Sequence, residues 1–197
     1  MKPKQPSNPE KLYSIAEPQA GYFTALQAQA AGLTRPLLSY FVKTGRFKRV
    51  AQGIYRVSQF PNSPQEDLFV TWLRTGPDSV ISHDSALSVY ELSDALPGEI
   101  HVIIPRTASR RHRSLRLHTN RIQRDEITRR AGLPVTTVAR TIADVAASGM
   151  AEELVHQAIA DALRRGLVTV GTLKTQAARH GGRAARLIQG AIKKEAK

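Results

Sequence analysis

The stretch TRPLLSYFVKTGRFKRVAQGIYRV, residues 34–57, combines the pattern of a short amphipathic helix with that of a β-hairpin. Thr34 suits a helix N-cap, Pro36 suits the first turn and Gly45 suits the end of the helix. The apolar arc of this helix contains Leu37, Leu38, Phe41 and Val42, and the opposite arc contains Arg35, Pro36, Ser39, Tyr40 and Lys43. One face is therefore predicted to enter the core, and the other is free to contact a partner.

A basic β-hairpin is predicted directly after this helix. Two strand patterns, Phe47–Val50 and Ile54–Val57, flank Gly53, which can adopt the positive φ that a tight turn requires. Upstream, two further short helices are predicted, the first over Pro9–Ala16 and the second from Thr24 to Gly32. Three helices followed by a two-stranded wing are typical of a winged helix-turn-helix, in which the third helix enters the major groove. The sequence thus predicts a DNA-binding domain over residues 10–60, after a flexible leader at residues 1–9.

The residue types on this module suit contact with double-stranded DNA. Arginine and lysine bind phosphates and guanine edges, and the hydroxyls of serine and tyrosine offer further hydrogen bonds. The candidate DNA-binding residues are Arg35, Ser39, Tyr40 and Lys43 on the third helix, with Arg46, Lys48, Arg49, Gln52 and Arg56 as contacts to the flanking backbone. The alternative is a winged helix that docks a protein and whose exposed face is cationic.

The charge distribution favours DNA contact by the N-terminal third. The 197-residue chain has a formal net charge of +13, and its residues 1–60 contain nine basic and two acidic residues. Residues 61–121 contain seven of each sign. A basic excess concentrated in one segment is typical of a module that binds a polyanion, because each neutralised phosphate releases counterions. Charge that serves only solubility is the alternative.

The remaining residues, 61–197, are predicted to form a mixed α/β domain with a small sheet and C-terminal helices, which makes the whole protein α+β. The capping-box spacing of Ser63–Glu66 predicts a helix to about Thr75, and a second helix is predicted over Ser82–Leu92. Strands are predicted at residues 100–104 and 115–119, and Arg116 and His118 share the polar face of the latter. Helices are predicted for most of the chain after residue 137.

Two groups of charged residues in this second part allow more than one interpretation. The loop between the two predicted strands contains Arg106, Arg110, Arg111 and Arg113. Four interpretations of these arginines stay open. They extend the DNA contact, bind RNA, contact an acidic surface of a partner protein, or are solvated without a partner. Arg140 and Asp144 can pair at i, i+4 on a helix. That pair either stabilises its own helix or anchors the middle strands to the last helices.

No pattern indicates catalysis, and no catalytic residue, metal site or cofactor is predicted. The chain has no cysteine, which excludes disulfides, thiolate metal sites and cysteine nucleophiles. Ser82-His83-Asp84-Ser85 contains the residue types of a catalytic triad, but consecutive helical residues diverge by about 100° and cannot relay one proton. Helix capping and packing are the expected roles of these four. The other histidines show no ligand spacing: His101, His112, His118, His156 and His180.

The compartment predicted from the sequence is the cytoplasm, with no membrane contact. No segment approaches the roughly 18 consecutive apolar residues of a membrane span, and the amino terminus contains no apolar run. The lack of cysteine fits a reducing compartment.

Several segments resemble AbiEi-type antitoxins of type IV toxin-antitoxin systems. The winged-helix part of the resemblance lies in Gly32–Thr34, Gly45–Val50 and Gly53–Arg56. Four later segments agree in order: Ile81–Leu87, Ile100–Arg106, Leu115–His118 and Gly132–Asp144. The resemblance implies an N-terminal domain that represses its own operon by binding promoter repeats. It also implies a C-terminal domain that neutralises a partner toxin of the nucleotidyltransferase type, without naming the contact residues.

Two other functions stay open at the level of sequence. One is a stand-alone winged-helix transcriptional regulator with a ligand-sensing second domain. The other is an enzyme whose second domain inactivates the toxin by covalent modification, although no convergent set of acid, base or metal ligands supports it.

Overall fold

The computed structural model describes residues 9–92, 98–106 and 114–195, and its fold is α+β, as predicted. The chain divides into two compact units. The first contains residues 1–77 with 131–133, and the second contains residues 78–130 with 134–197. Residues 1–8 of the leader expected at residues 1–9 lie outside the described residues, and Pro9 is the first residue of a helix.

The first unit is a winged helix-turn-helix followed by one more helix. Its elements are α1 (Pro9–Ala16), β1 (Tyr22–Thr24), α2 (Ala25–Ala30), α3 (Arg35–Lys43), β2 (Phe47–Ala51), β3 (Ile54–Val57) and α4 (Glu66–Thr75). The three strands form an antiparallel sheet in the order β1-β3-β2. The predicted helices and hairpin are confirmed, whereas β1 was missed because three residues are too short to show a period-two pattern.

Phe23 on β1 is the centre of the core of this unit. Its buried ring lies 5.0 Å from the Phe47 ring in an edge-to-face arrangement and 5.8 Å from the Tyr55 ring. Aromatic pairs in such geometries add attraction to the burial of apolar area. The helices contribute Leu12, Ala16, Ala28 and Leu38 to the same cluster. The hairpin is thereby packed against all three helices that precede it.

Helix α4 belongs to the first unit, although the sequence suggested a boundary between residues 60 and 61. The Phe69 ring of α4 stacks on Tyr22 of β1 at 5.0 Å, and the Tyr22 hydroxyl donates a 2.9 Å hydrogen bond to Glu66 Oε2. Burial is the main reason that the pKa of Tyr22 is raised to about 12. The expected capping box differs in detail, since α4 begins after Gln65, and Ser63 Oγ accepts from Gln65 N at 3.1 Å.

Gly21 makes a close approach that admits no side chain, which gives a prediction for stability. Its φ is +86°, and a Cβ at this position would lie 2.5 Å from Phe60 Cγ. Gly21→Ala is expected to cost about 1–2 kcal/mol for the backbone and a further 1–3 kcal/mol for overpacking. Gly45→Ala is the control, because its φ is also positive, at +74°, but a Cβ there meets nothing within 4 Å. Equal losses in urea unfolding would contradict the steric part of this prediction.

The second unit has a five-stranded sheet in the order β6-β5-β4-β8-β7 and helices around it. The strands are β4 (Val80–Ile81), β5 (Ile100–Ile103), β6 (Leu115–His118), β7 (Ile127–Arg130) and β8 (Leu133–Thr136). The helices are α5 (His83–Val89), α6 (Val138–Ser148), α7 (Glu152–Arg164), α8 (Val170–His180) and α9 (Gly182–Glu195). The pairs β5–β6 and β4–β8 are parallel, and β4–β5 is antiparallel. The strands predicted around residues 100 and 115 are confirmed.

A buried network around Arg140 connects three parts of this unit. The Arg140 guanidinium donates to Asp144 Oδ1 at 2.9 Å on the same helix and to Glu126 Oε2 at 2.7 Å in the turn before β7. Gln176 of α8 donates to the other Glu126 oxygen at 2.8 Å, and His180 Nε2 lies 3.2 Å from Asp144 Oδ1. The structure shows both interpretations of the Arg140–Asp144 pair, because the two residues pair at i, i+4 within α6 and the same arginine anchors this helix to Glu126.

Among the residues that the structure describes, no helix is both long and apolar enough to cross a membrane.

Candidate nucleic-acid interface

The orientation of α3 follows from its amphipathic pattern. Thr34 occupies the N-cap, and its Oγ1 lies 3.4 Å from Leu37 N. Leu38 is buried, and Leu37 and Phe41 pack partly buried against the core cluster. The helix ends as predicted, because Thr44 is the C-cap and Gly45 follows with a φ of +74°. This packing directs the other side of α3 outward.

The four candidate DNA-binding residues on the outward arc of α3 are all exposed. Arg35, Ser39, Tyr40 and Lys43 face solvent, and Tyr40 is 58% exposed although its ring is large and apolar. This helix face offers hydrogen-bond donors for phosphates and base edges from an arginine, a lysine and a hydroxyl. The aromatic ring of the tyrosine adds a flat surface that can lie against a sugar or a base.

The wing adds further cations beside this helix. Phe47 of β2 packs against Phe41 of α3 with ring centroids 5.1 Å apart, which fixes the hairpin to the helix. Lys48, Arg49 and Gln52 are exposed on the hairpin. The Arg46 guanidinium lies 5.5 Å from the centre of the Phe41 ring, at the junction of helix and wing. Lys48 and Arg49 are neighbours on β2, so their side chains point to opposite sides of the hairpin, Arg49 to that of Tyr55 and Lys48 to that of Arg56. We use the name basic face for the whole exposed set: Arg35, Ser39, Tyr40, Lys43, Arg46, Lys48, Arg49 and Gln52.

Along the sequence, no acidic residue lies between the cations of the basic face or next to them. The sequence contains no Asp or Glu between Glu17 and Glu66. Within the residues that the structure describes, no ion pair includes a cation of the basic face. Unpaired cations at this density produce a positive potential that attracts a polyanion.

Arg56 is a correction to the predicted set. Its side chain is only 5% exposed, its Nη1 donates to Pro61 O at 3.1 Å and its Nη2 donates to Asn62 Oδ1 at 2.7 Å. The guanidinium also lies 5.8 Å from the centre of the Tyr22 ring. The segment that follows β3 covers Arg56. The arginine therefore holds that segment in place, and its guanidinium is not accessible to the DNA backbone.

The arginine loop of the second unit is only partly described. Arg106 is exposed and lines a cavity with Asp78, Asn120 and Arg121. Arg110, Arg111 and Arg113 lie outside the described residues.

Three histidines that are distant in sequence meet in the second unit. The rings of His83 and His118 stack with centroids 3.6 Å apart, and His101 lies 5.2 Å from His118 and 5.6 Å from His83. His118 was expected on a polar strand face, but it is half-buried in this cluster. Sequence spacing did not indicate the cluster, because strand pairing and α5 bring the three rings together.

The Ser82–Ser85 segment does not form a catalytic relay. Ser82 occupies the N-cap of α5, and its Oγ lies 3.0 Å from His83 Nδ1. Asp84 Oδ2 instead lies 3.3 Å from His101 Nδ1. Ser85 Oγ accepts from His101 N at 2.9 Å. Ser82 and His83 contact each other, but Asp84 contacts a different histidine, so it does not orient the His83 ring as the acid of a triad would. Burial lowers the pKa of His83 to about 3, which leaves it a weak base.

An exposed cationic helix beside a cationic wing is an arrangement that DNA-binding helix-turn-helix proteins use. Residues 10–58 match the model of the family described as "Transcriptional regulator, AbiEi antitoxin", which confirms the resemblance for this segment. The fold is similar to that of the crystal structure of the RV2827C protein from Mycobacterium tuberculosis. That likeness has a TM-score of 0.55 at 12% identity and covers 96% of this chain and 78% of that chain. The comparison with curated proteins gave no match.

Proposed function

We propose that this protein is a cytoplasmic DNA-binding antitoxin that represses its own operon and neutralises a cognate toxin of the nucleotidyltransferase type. The observation that carries the DNA-binding part is the basic face, where five exposed cations lie on α3, the wing and their junction, none of them in an ion pair within the described residues. The family match over residues 10–58 supports the regulatory role.

In this proposal, α3 enters the major groove and the wing contacts the adjacent phosphates. Arg35, Ser39, Tyr40 and Lys43 contact base edges and the groove walls, and Arg46, Lys48, Arg49 and Gln52 hold the flanking backbone. The bound DNA is the duplex of the protein's own promoter. The role is that of an adaptor without catalytic chemistry.

The second unit carries toxin neutralisation in this proposal. Its sheet and helices form a compact body of their own, which suits a separate protein-binding role. The supporting observation is the description of the matched family as an antitoxin.

Promoter binding and toxin rescue test the two parts of the proposal separately. A gel-shift titration with the upstream promoter duplex is expected to give saturable binding that an unrelated duplex competes for only weakly. Co-expression with the proposed toxin of the nucleotidyltransferase type is expected to restore growth and to yield a complex of unchanged toxin mass. A mass increase on the toxin would favour the enzyme, and promoter binding without rescue would favour a stand-alone regulator.

Lys43→Ala is expected to weaken promoter binding and to reduce the slope of log affinity against log salt by about one unit, because one phosphate contact is lost. Lys174→Ala is the matched control, since Lys174 is an exposed helical lysine of the second unit. The measurement is a fluorescence-anisotropy titration at several salt concentrations. Equal slopes for both variants would contradict the placement of α3 on the DNA.

A further inference from the structure

The histidine cluster of the second unit has the composition of a metal site. His83 is the first residue of α5, His101 lies on β5 and His118 lies on β6. Ile103, two residues after His101, pairs with His118 in parallel register, so His101 and His118 share one face of the sheet. One ligand nitrogen of each ring lies within 4.8 Å of those of the other two.

All three residues offer imidazole nitrogens, and histidine is the commonest protein ligand of metal ions. Neutral imidazole is a good ligand for Zn²⁺, Cu²⁺ and Ni²⁺.

Two of the ring nitrogens have unmet hydrogen-bonding capacity. His101 Nδ1 and His118 Nε2 are buried, and neither has a hydrogen-bond partner within the described residues. Asp84 Oδ2 lies 3.3 Å from His101 Nδ1 but outside hydrogen-bond geometry. A buried polar atom without a partner is destabilising, so two such atoms next to a third imidazole indicate a missing ligand.

We propose that His83, His101 and His118 bind one divalent cation of the Zn²⁺ class, with the fourth position open to water or an external ligand. Three imidazoles and an open position are a recurrent zinc arrangement. The site is independent of the proposed DNA contact, because it lies in the second unit and uses no residue of the basic face.

Cation binding requires one local movement. The planes of His83 and His118 are only 10° apart at 3.6 Å, and one ion cannot lie in both planes. Nitrogens on a common tetrahedral Zn²⁺ are about 3.4 Å apart, because each Zn–N bond is about 2.0–2.1 Å. A rotation of one ring out of the stack brings its nitrogen to the cation, and the cation then connects α5 to β5 and β6.

Titration of the full-length protein with Zn²⁺ and Co²⁺ tests the site. Calorimetry is expected to show one high-affinity Zn²⁺ per chain, and Co²⁺ is expected to give the visible absorption of a tetrahedral site. Zn²⁺ is also expected to raise the melting temperature, since a ligand that binds only the folded state stabilises it. Long-range nitrogen NMR of the unmodified protein is expected to show shifts of three imidazoles, a readout that requires no variant.

His118→Gln and His101→Gln are each expected to weaken Zn²⁺ binding by at least about 100-fold, because outer-shell partners alone are worth about 10- to 100-fold. His156→Gln is the matched control, because this histidine lies on α7 outside the cluster. The melting temperature without metal verifies that each variant folds. Absence of saturable binding in the parent, NMR shifts confined to other histidines, or equal losses in the control would overturn the site.

Discussion

Arg140→Met is expected to lower the free energy of unfolding by about 3–5 kcal/mol, because it leaves two buried carboxylates without their cation. Arg140 and Glu126 each have side chains only 4% exposed, and the Asp144 side chain is fully buried. Methionine retains much of the side-chain volume, so the loss reports charge and hydrogen bonding more than a cavity. The network also holds α8 through Gln176, so the effect reaches beyond one helix.

Urea unfolding followed by circular dichroism measures this loss, and an exposed ion pair supplies the control. Arg164 Nη2 lies 2.6 Å from Asp161 Oδ1, closer than either of the two Arg140 contacts, but the Arg164 side chain is 75% exposed. Arg164→Met is expected to cost no more than about 1 kcal/mol, because water screens exposed pairs. Similar losses for the two variants would show that burial does not govern the Arg140 network.

Combined replacement of Arg35, Lys43 and Arg49 by alanine is expected to weaken promoter binding by at least about 100-fold. Each hydrogen bond to a charged group is worth about 1.5–3 kcal/mol, and a factor of ten corresponds to about 1.4 kcal/mol. The salt slope is expected to fall by about three units, one for each lost phosphate contact. All three side chains are exposed, so the fold is expected to remain intact.

A second triple variant separates local contact from overall charge. Replacement of the exposed Lys174, Arg186 and Lys193 by alanine removes the same charge from the second unit. This variant is expected to retain most promoter affinity, and the α3 and wing variant is expected to retain toxin rescue. DNA binding as tight as that of the parent by the Arg35, Lys43 and Arg49 triple variant would refute the proposed interface. Equal weakening by both triple variants would show that net charge, not a local interface, governs promoter binding.

The winged helix was predictable because its determinants are local. The Thr34 cap, the apolar arc of α3 and the Gly53 turn are each set by residues within a few positions of one another. The exposure of Arg35 and Lys43 follows from the same periodicity. Strand β1 escaped prediction because its stability comes from pairing with β3, about thirty residues later in the chain.

The burial of the Arg56 side chain could be learned only from the tertiary structure. On the sequence it is one more cation of the wing, but Pro61 and Asn62 return over it and accept its hydrogen bonds. An arginine in a strand points outward or inward according to what covers that face, and the covering segment is not encoded in the strand itself.

By itself, the sequence determined the helices and wing of the first unit and the excess of positive charge on them, because periodicity, caps and turn residues act over short distances. Only the tertiary structure decided that Arg56 is covered, that Arg140 joins Glu126 to Asp144, and that three separated histidines meet. Those outcomes depend on strand register and helix packing, which bring together side chains whose spacing along the chain carries no common pattern.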